Sequence, residues 1–178
     1  LHFMAGNRDF LAGSRFLQTT GLKGLADPTV LVLPQGERLL LSHGDALCVD
    51  DVDYQRFRVQ ARSAAWQQGF LAQPLATRRA QARSIRTESE ARKQSGTVYA
   101  DVDTATALAW LEAAQAGTLV HGHTHRPAHH KLDASRDRWV LSDWDAAATP
   151  PRAEVLRWKA TDGWQRLPVP WWPLSASA

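Results

Sequence analysis

Three short polar stretches carry the side chains of this chain that are best suited to chemistry. The first is His121-Gly122-His123-Thr124-His125-Arg126-Pro127. It follows the apolar run Thr118-Leu119-Val120, which reads as a short buried strand closed by turn residues. Gly122 and Pro127 end that strand and open a loop, and loops at strand ends are where ligands are usually held. A lone histidine is more often packed or solvated than a ligand. Several in one strand-end loop, with another upstream at His43, point to metal binding, since neutral imidazole suits Zn, Mn, Fe and similar ions. The second stretch, Ser42-His43-Gly44-Asp45, follows Leu39-Leu40-Leu41, and the third, Gly6-Asn7-Arg8-Asp9, follows Leu1-His2-Phe3-Met4. Each is a strand, then a tight polar turn with a ligand-type side chain. His121 lies in its strand and reads as packing, whereas His129 and His130 read as surface residues.

The elements that must position these loops are legible from pattern. Phe10 to Thr20 reads as a short helix stopped by Gly21. Val30–Leu33 and Leu39–Leu41, joined through Pro34-Gln35-Gly36-Glu37, read as a hairpin. Asp103 or Thr104 caps a helix that runs to Ala116, with Ala107, Leu108, Trp110 and Leu111 on its buried face and Gly117 as its stop. Helix, strand Thr118–His121, then ligand loop is an α/β pattern. Arg138–Leu141, Ala153–Trp158 and Trp164–Leu167 read as antiparallel strands, the last two joined through Thr161-Asp162-Gly163.

From Asp53 to Lys93 the strand signals disappear. The segment is rich in Ala, Gln and Arg, with Pro74 as the break between two helices. Its cations are Arg56, Arg58, Arg62, Arg78, Arg79, Arg83, Arg86, Arg92 and Lys93, interleaved with Phe57, Val59, Trp66, Phe70, Leu71, Leu75 and Ile85. It reads either as a solvated helical face with a core stripe or as a basic amphipathic insertion for an anionic ligand or membrane surface.

Composition narrows the classes. The 178 residues suffice for one domain with a core, and a hydrophobic content of 44% argues against disorder. The net charge is +3 and the sequence pI near 9.4. The single cysteine, Cys48, excludes an internal disulfide framework and fits a reducing compartment. No run is long and apolar enough to span a bilayer. The last eleven residues, Pro168 to Ala178, are Pro- and Trp-rich without clear structure, and Trp171-Trp172 reads as packing against the domain.

In this order and spacing, the three stretches resemble the later motifs of the calcineurin-like metallophosphoesterases: Gly-Asn-(His/Arg)-(Asp/Glu), then His or Gly-His, then Gly-His-Thr-His. Within that superfamily the chain is similar to the UDP-2,3-diacylglucosamine pyrophosphatases of lipid A biosynthesis. The resemblance rests on Gly6 to Leu11, His43 to Asp51 and His121 to Pro127, and extends from Leu1 to about Leu167. It implies an α/β (α+β) fold of two packed sheets flanked by helices, with residues 53–95 as a helical lid and 168–178 as a tail. It also implies two divalent ions, usually manganese. Asn7, His43 and His123 would bind one and His125 the other. Asn7, Arg8 and His123 take the catalytic positions, and Asn7, Arg8, Asp51, Ser89, Lys93 and His123 the substrate contacts. Water would attack the α-phosphorus of UDP-2,3-diacylglucosamine to give UMP and 2,3-diacylglucosamine 1-phosphate. The location implied is cytoplasmic, peripheral on the inner membrane.

Arg8 sharpens the reading. Many relatives of the superfamily carry His there, which can protonate an alkoxide leaving group. A guanidinium does not donate a proton usefully at neutral pH, so Arg8 suits a leaving group that is already good, such as a sugar 1-phosphate, and holds phosphate oxygens. The family's opening Asp-x-His and Gly-Asp motifs, which precede Gly-Asn-Arg-Asp, have no counterpart in the sequence. The expectation is therefore the C-terminal major part of one metallophosphoesterase domain, its first strands missing. The alternatives are a related phosphatase or phosphodiesterase acting on a soluble nucleotide, an inactive metal-binding fragment, and a nucleic-acid module built on the arginine-rich helices. The last is disfavoured because that segment lacks regularly placed stacking aromatics, so no nucleic-acid partner is expected.

Overall fold

The computed structural model describes residues 1–94 and 100–169, except the side chains of 89, 90 and 92–94. The side chains of Ser89 and Lys93, expected to contact substrate, are outside the description, and Trp171-Trp172 lie outside the described residues. The chain opens with β1 (His2–Met4), α1 (Ser14–Thr20), β2 (Lys23–Leu25), β3 (Thr29–Val32) and β4 (Arg38–Ser42). A 3-10 turn over Asp45–Leu47 leads into α2 (Val52–Ala61), α3 (Ala64–Leu71) and α4 (Leu75–Gln94). Then follow α5 (Thr104–Ala114), β5 (Thr118–His121), β6 (Ala128–Lys131), β7 (Asp137–Val140), β8 (Glu154–Lys159) and β9 (Gly163–Pro168).

The architecture is mixed α/β. Among the described residues the ladders form a five-stranded sheet of order β3-β4-β5-β7-β6 and two-stranded ribbons β1-β2 and β8-β9, where the family resemblance implies two packed sheets. β4 and β5 are parallel, with Ser42 opposite His121, and β5 and β7 are parallel too. A parallel pair needs a crossover, and the helical segment supplies it. β3 and β6 flank the sheet in antiparallel register.

Several local expectations change. The segment after Asp53 forms three helices, not two, because Ser63 starts α3 by accepting a hydrogen bond from Trp66 N–H at 3.3 Å. Residues 10–13 are turn, with Ala12 N–H donating to the Asp9 carbonyl at 2.8 Å, so α1 begins only at Ser14. β2 and β6 carry no clear alternation and are strands because a neighbour pairs with them. His129, read as merely surface, is exposed but stacks on Trp139 at 4.1 Å and bonds to Asp137 at 2.8 Å. Asp103 caps α5 as expected. The helix ends through Gln115 at φ 51°, two residues before Gly117.

The core lies between the sheet and α5. Leu40, Leu47, Cys48, Val102, Ala107, Leu111, Ala116 and Leu119 form one buried cluster. His121 is fully buried. Its Nδ1 faces the Gly122 carbonyl at 2.9 Å and its Nε2 faces Arg138 at 3.3 Å. Arg138 also pairs with Asp101 at 3.2 Å. The packing reading of His121 agrees with this placement.

Leu111→Ala leaves a void against Leu119 and should cost about 2–5 kcal/mol in chemical denaturation. His121 yields a second prediction. Burial pushes its pKa from 6.5 down to about 4, so the unfolded chain binds a proton there that the folded chain does not. Its stabilising contribution is complete above pH 6.5 and is lost as the pH falls toward 4. His121→Gln should flatten the fall in denaturation midpoint across that interval relative to the parent protein.

Candidate metal and phosphate site

The site forms where three strand ends meet. Because β4 and β5 are adjacent and parallel, the loops that leave them emerge side by side. Gly122 N–H donates to the His43 carbonyl at 3.0 Å and ties the two loops together. The loop after β1 completes the corner. Gly6 is buried against the face of the His43 ring, and a Cβ there would stand 2.7 Å from its Cε1. Only glycine allows that approach. Gly44, at φ 103°, is equally constrained, since a Cβ would meet His121 Nδ1 at 2.9 Å.

His43 Nε2 stands 3.2 Å from Asn7 Oδ1. The His43 and His123 rings meet edge to face, with centroids 5.1 Å apart. Two ligands bonded to one ion at about 2.1 Å, roughly at right angles, are themselves about 3 Å apart, so the Asn7–His43 spacing fits a shared ion. Burial is the first cause that lowers the pKa of both histidines, and it brings His123 to about 4. At neutral pH both rings are therefore neutral, as metal binding requires. An amide oxygen and two imidazoles suit a first-row divalent ion.

His125 does not join that group. It is exposed, at φ 54°, with Nδ1 3.9 Å from Asp143 Oδ2. Asp143 is itself paired with Arg152 at 2.7 Å. Among the described residues no group of three or more His, Cys, Asp or Glu side chains is arranged to hold an ion. Asn7, an amide, is outside that set of residue types. Arg8 is exposed beside Asn7 and takes no carboxylate partner among the described residues. Asp51 caps α2, accepting from Tyr54 N–H at 3.1 Å through one of its two oxygens.

Sequence reading missed the groups behind these residues. Asp27 accepts from Ser42 Oγ at 2.7 Å and from His43 N–H at 3.2 Å, which fixes the turn after β4. Asp45 is fully buried, and its Oδ2 accepts from the Tyr54 hydroxyl, from Arg58 Nε at 3.0 Å and from Arg62 Nη2 at 3.3 Å. Burial alone would raise the Asp45 pKa, but the Tyr54 hydrogen bond and the charges of Arg58 and Arg62 outweigh it and hold the carboxyl below its usual range. The 54, 58, 62 spacing marks one helix face and was the only available signal, since nothing local links it to Asp45.

No protein-family model matches the chain. It is similar to the UDP-2,3-diacylglucosamine hydrolase of Chromobacterium violaceum, with 52% identity over 147 residues, or 81% of this chain and 61% of that protein. The enzyme of that name from Bordetella pertussis is 45% identical over 156 residues, 85% of this chain and 60% of that protein. That from Stenotrophomonas maltophilia strain K279a is 41% identical over 169 residues, 89% of this chain and 68% of that protein. The chain thus spans about three-fifths of the length of the first two relatives. With identity of this order along most of its residues, the chain belongs to the UDP-2,3-diacylglucosamine hydrolase family.

Proposed function

We propose that this chain carries the site that hydrolyses the pyrophosphate bond of UDP-2,3-diacylglucosamine, giving UMP and 2,3-diacylglucosamine 1-phosphate in lipid A biosynthesis. The observation that carries the reading is the neutral His43 imidazole set between Asn7 Oδ1, at 3.2 Å, and the neutral His123 ring, at 5.1 Å between centroids, at the ends of β1, β4 and β5. Family membership supports the substrate. The mixed α/β architecture, with ligands at strand ends, is consistent with a calcineurin-like metallophosphoesterase, of which residues 1–167 form the C-terminal major part.

In this reading Asn7, His43 and His123 hold one divalent ion and His125 serves a second, both manganese. When bound, such ions polarise phosphoryl oxygens and lower the pKa of a coordinated water. The chain's own groups do the rest. Arg8, exposed on the loop that carries Asn7, grips phosphate oxygens without giving up its proton. The departing sugar 1-phosphate needs no proton from it. The Asp51 oxygen not used in capping α2 is free to accept from a glucosamine hydroxyl. Residues 53–95 serve as the lid, with Ser89 and Lys93 as further polar contacts. Trp66 anchors an aromatic cluster suited to acyl chains, stacking on Phe70 at 4.9 Å and packing near Phe57 and Phe10.

No described helix is long and apolar enough to cross a membrane. A substrate with two acyl chains and a lid bearing arginines support a peripheral position on the cytoplasmic face of the inner membrane.

His123→Ala in the protein should lower Mn2+-dependent UMP release by at least about 100-fold. An unchanged rate would overturn the assignment. Trp66→Ala should reduce the preference for acylated over deacylated UDP-glucosamine by about tenfold, roughly the burial of one large apolar contact; competition between the two substrates measures it.

A further inference from the structure

His123 occupies an unusual setting for a ligand. It sits at φ 66°, a left-handed conformation that residues other than glycine rarely adopt. Metal-bound histidines are usually oriented by a hydrogen bond that the second ring N–H donates to a carboxylate, carbonyl or water. Among the described residues the His123 ring makes no hydrogen bond. It is held by packing instead, with His43 edge-on at 5.1 Å and Tyr54 stacked at 5.9 Å, 27° from parallel.

Tyr54 is itself fixed. Its hydroxyl donates to the fully buried Asp45, two residues beyond His43. Arg58, one turn further along α2, and Arg62, which caps its C-terminus, reach the same carboxylate oxygen. Gln55 adds bonds to the Asp45 carbonyl at 2.7 Å and the Cys48 carbonyl at 3.0 Å. The first helix after the His43 loop is therefore clamped to that loop at one point, and the clamp sets where the Tyr54 ring lies.

We propose that Tyr54, anchored by Asp45, is a positioning residue for His123: its ring fixes the imidazole in the orientation that lets His123 and His43 serve one divalent cation. The proposal rests on the reading of His123 as a metal ligand. It makes the start of the helical segment, at Tyr54, a wall of the site at the base of the lid. The ring restricts His123 before any ion arrives, so less ordering is left for the binding step.

The test is Mn2+ binding to the metal-depleted protein, followed by EPR, with circular dichroism as the check on folding. Tyr54→Leu removes the flat ring and should weaken Mn2+ binding about tenfold, the range for loss of a ligand-orienting partner. Tyr54→Phe keeps the ring but frees it from Asp45, and should weaken binding by about threefold in the same sense. UMP release by Tyr54→Leu should recover at high Mn2+, which a general structural loss would not allow. Wild-type Mn2+ affinity in folded Tyr54→Leu overturns the proposal. Should that variant not fold, wild-type affinity in Tyr54→Phe overturns it equally. A parent protein whose Mn2+ affinity is unmoved by His123→Ala overturns the ligand reading, and the positioning role with it.

Discussion

The parallel pairing of β4 with β5 is the constraint on which the site depends. Ser42 stands opposite His121, so the chain leaves the sheet at the same end twice, about eighty residues apart in sequence. His43 and His123 then emerge from neighbouring turns, and the bond from Gly122 N–H to the His43 carbonyl locks their relative height. An antiparallel pairing would send the two loops to opposite ends of the sheet. The crossover that parallel strands demand is also what places the helical segment and α5 where they are.

Buried charge is the second organising element. Asp45 is removed from water entirely, yet stays ionised because Tyr54, Arg58 and Arg62 converge on one of its oxygens. Leaving such a carboxylate unpaired is costly, on the order of 3–5 kcal/mol, so the helix that brings those partners is committed to this position. The arrangement couples two parts of the molecule through one residue. Asp45 lies beside His43 in sequence, and its partner Tyr54 lies against His123 in space. Arg138 on β7 links the buried His121 to the partly exposed Asp101, and this group serves the sheet rather than the site.

Much of this was legible in sequence. The apolar runs before His43 and His121, ended by Gly44 and Gly122, announced strands with ligand loops, and those strands are β4 and β5. The Asp103 cap and the 3.6-residue spacing of Ala107 and Leu111 located α5. The break at Ser63 was missed because Pro74 was the stronger punctuation. β2 and β6 were missed because their strand character comes from their partners. For the site, Asn7, His43 and His123 were named from their turns, and the structure brings them together. His125, assigned from the same turn to the other ion, stands apart from these three, with its Nδ1 3.9 Å from Asp143 Oδ2. Side-chain direction in a loop depends on backbone dihedrals that residue types do not fix.

What the sequence alone determined was the inventory: neutral ligand types after apolar runs, a glycine at each tight approach, a basic helical segment, and the family to which they correspond. These follow from local pattern, because periodicity and turn chemistry act over a few residues. What only the tertiary structure decided was company. Asp27 beneath the His43 turn, Asp45 beneath Tyr54, Arg58 and Arg62, and Tyr54 against His123 all join residues whose meeting is set by strand order and helix docking. The physical reason is that a buried charge or an unbonded imidazole chooses its partner by distance in the folded chain, and that distance exists only once β4 and β5 have paired.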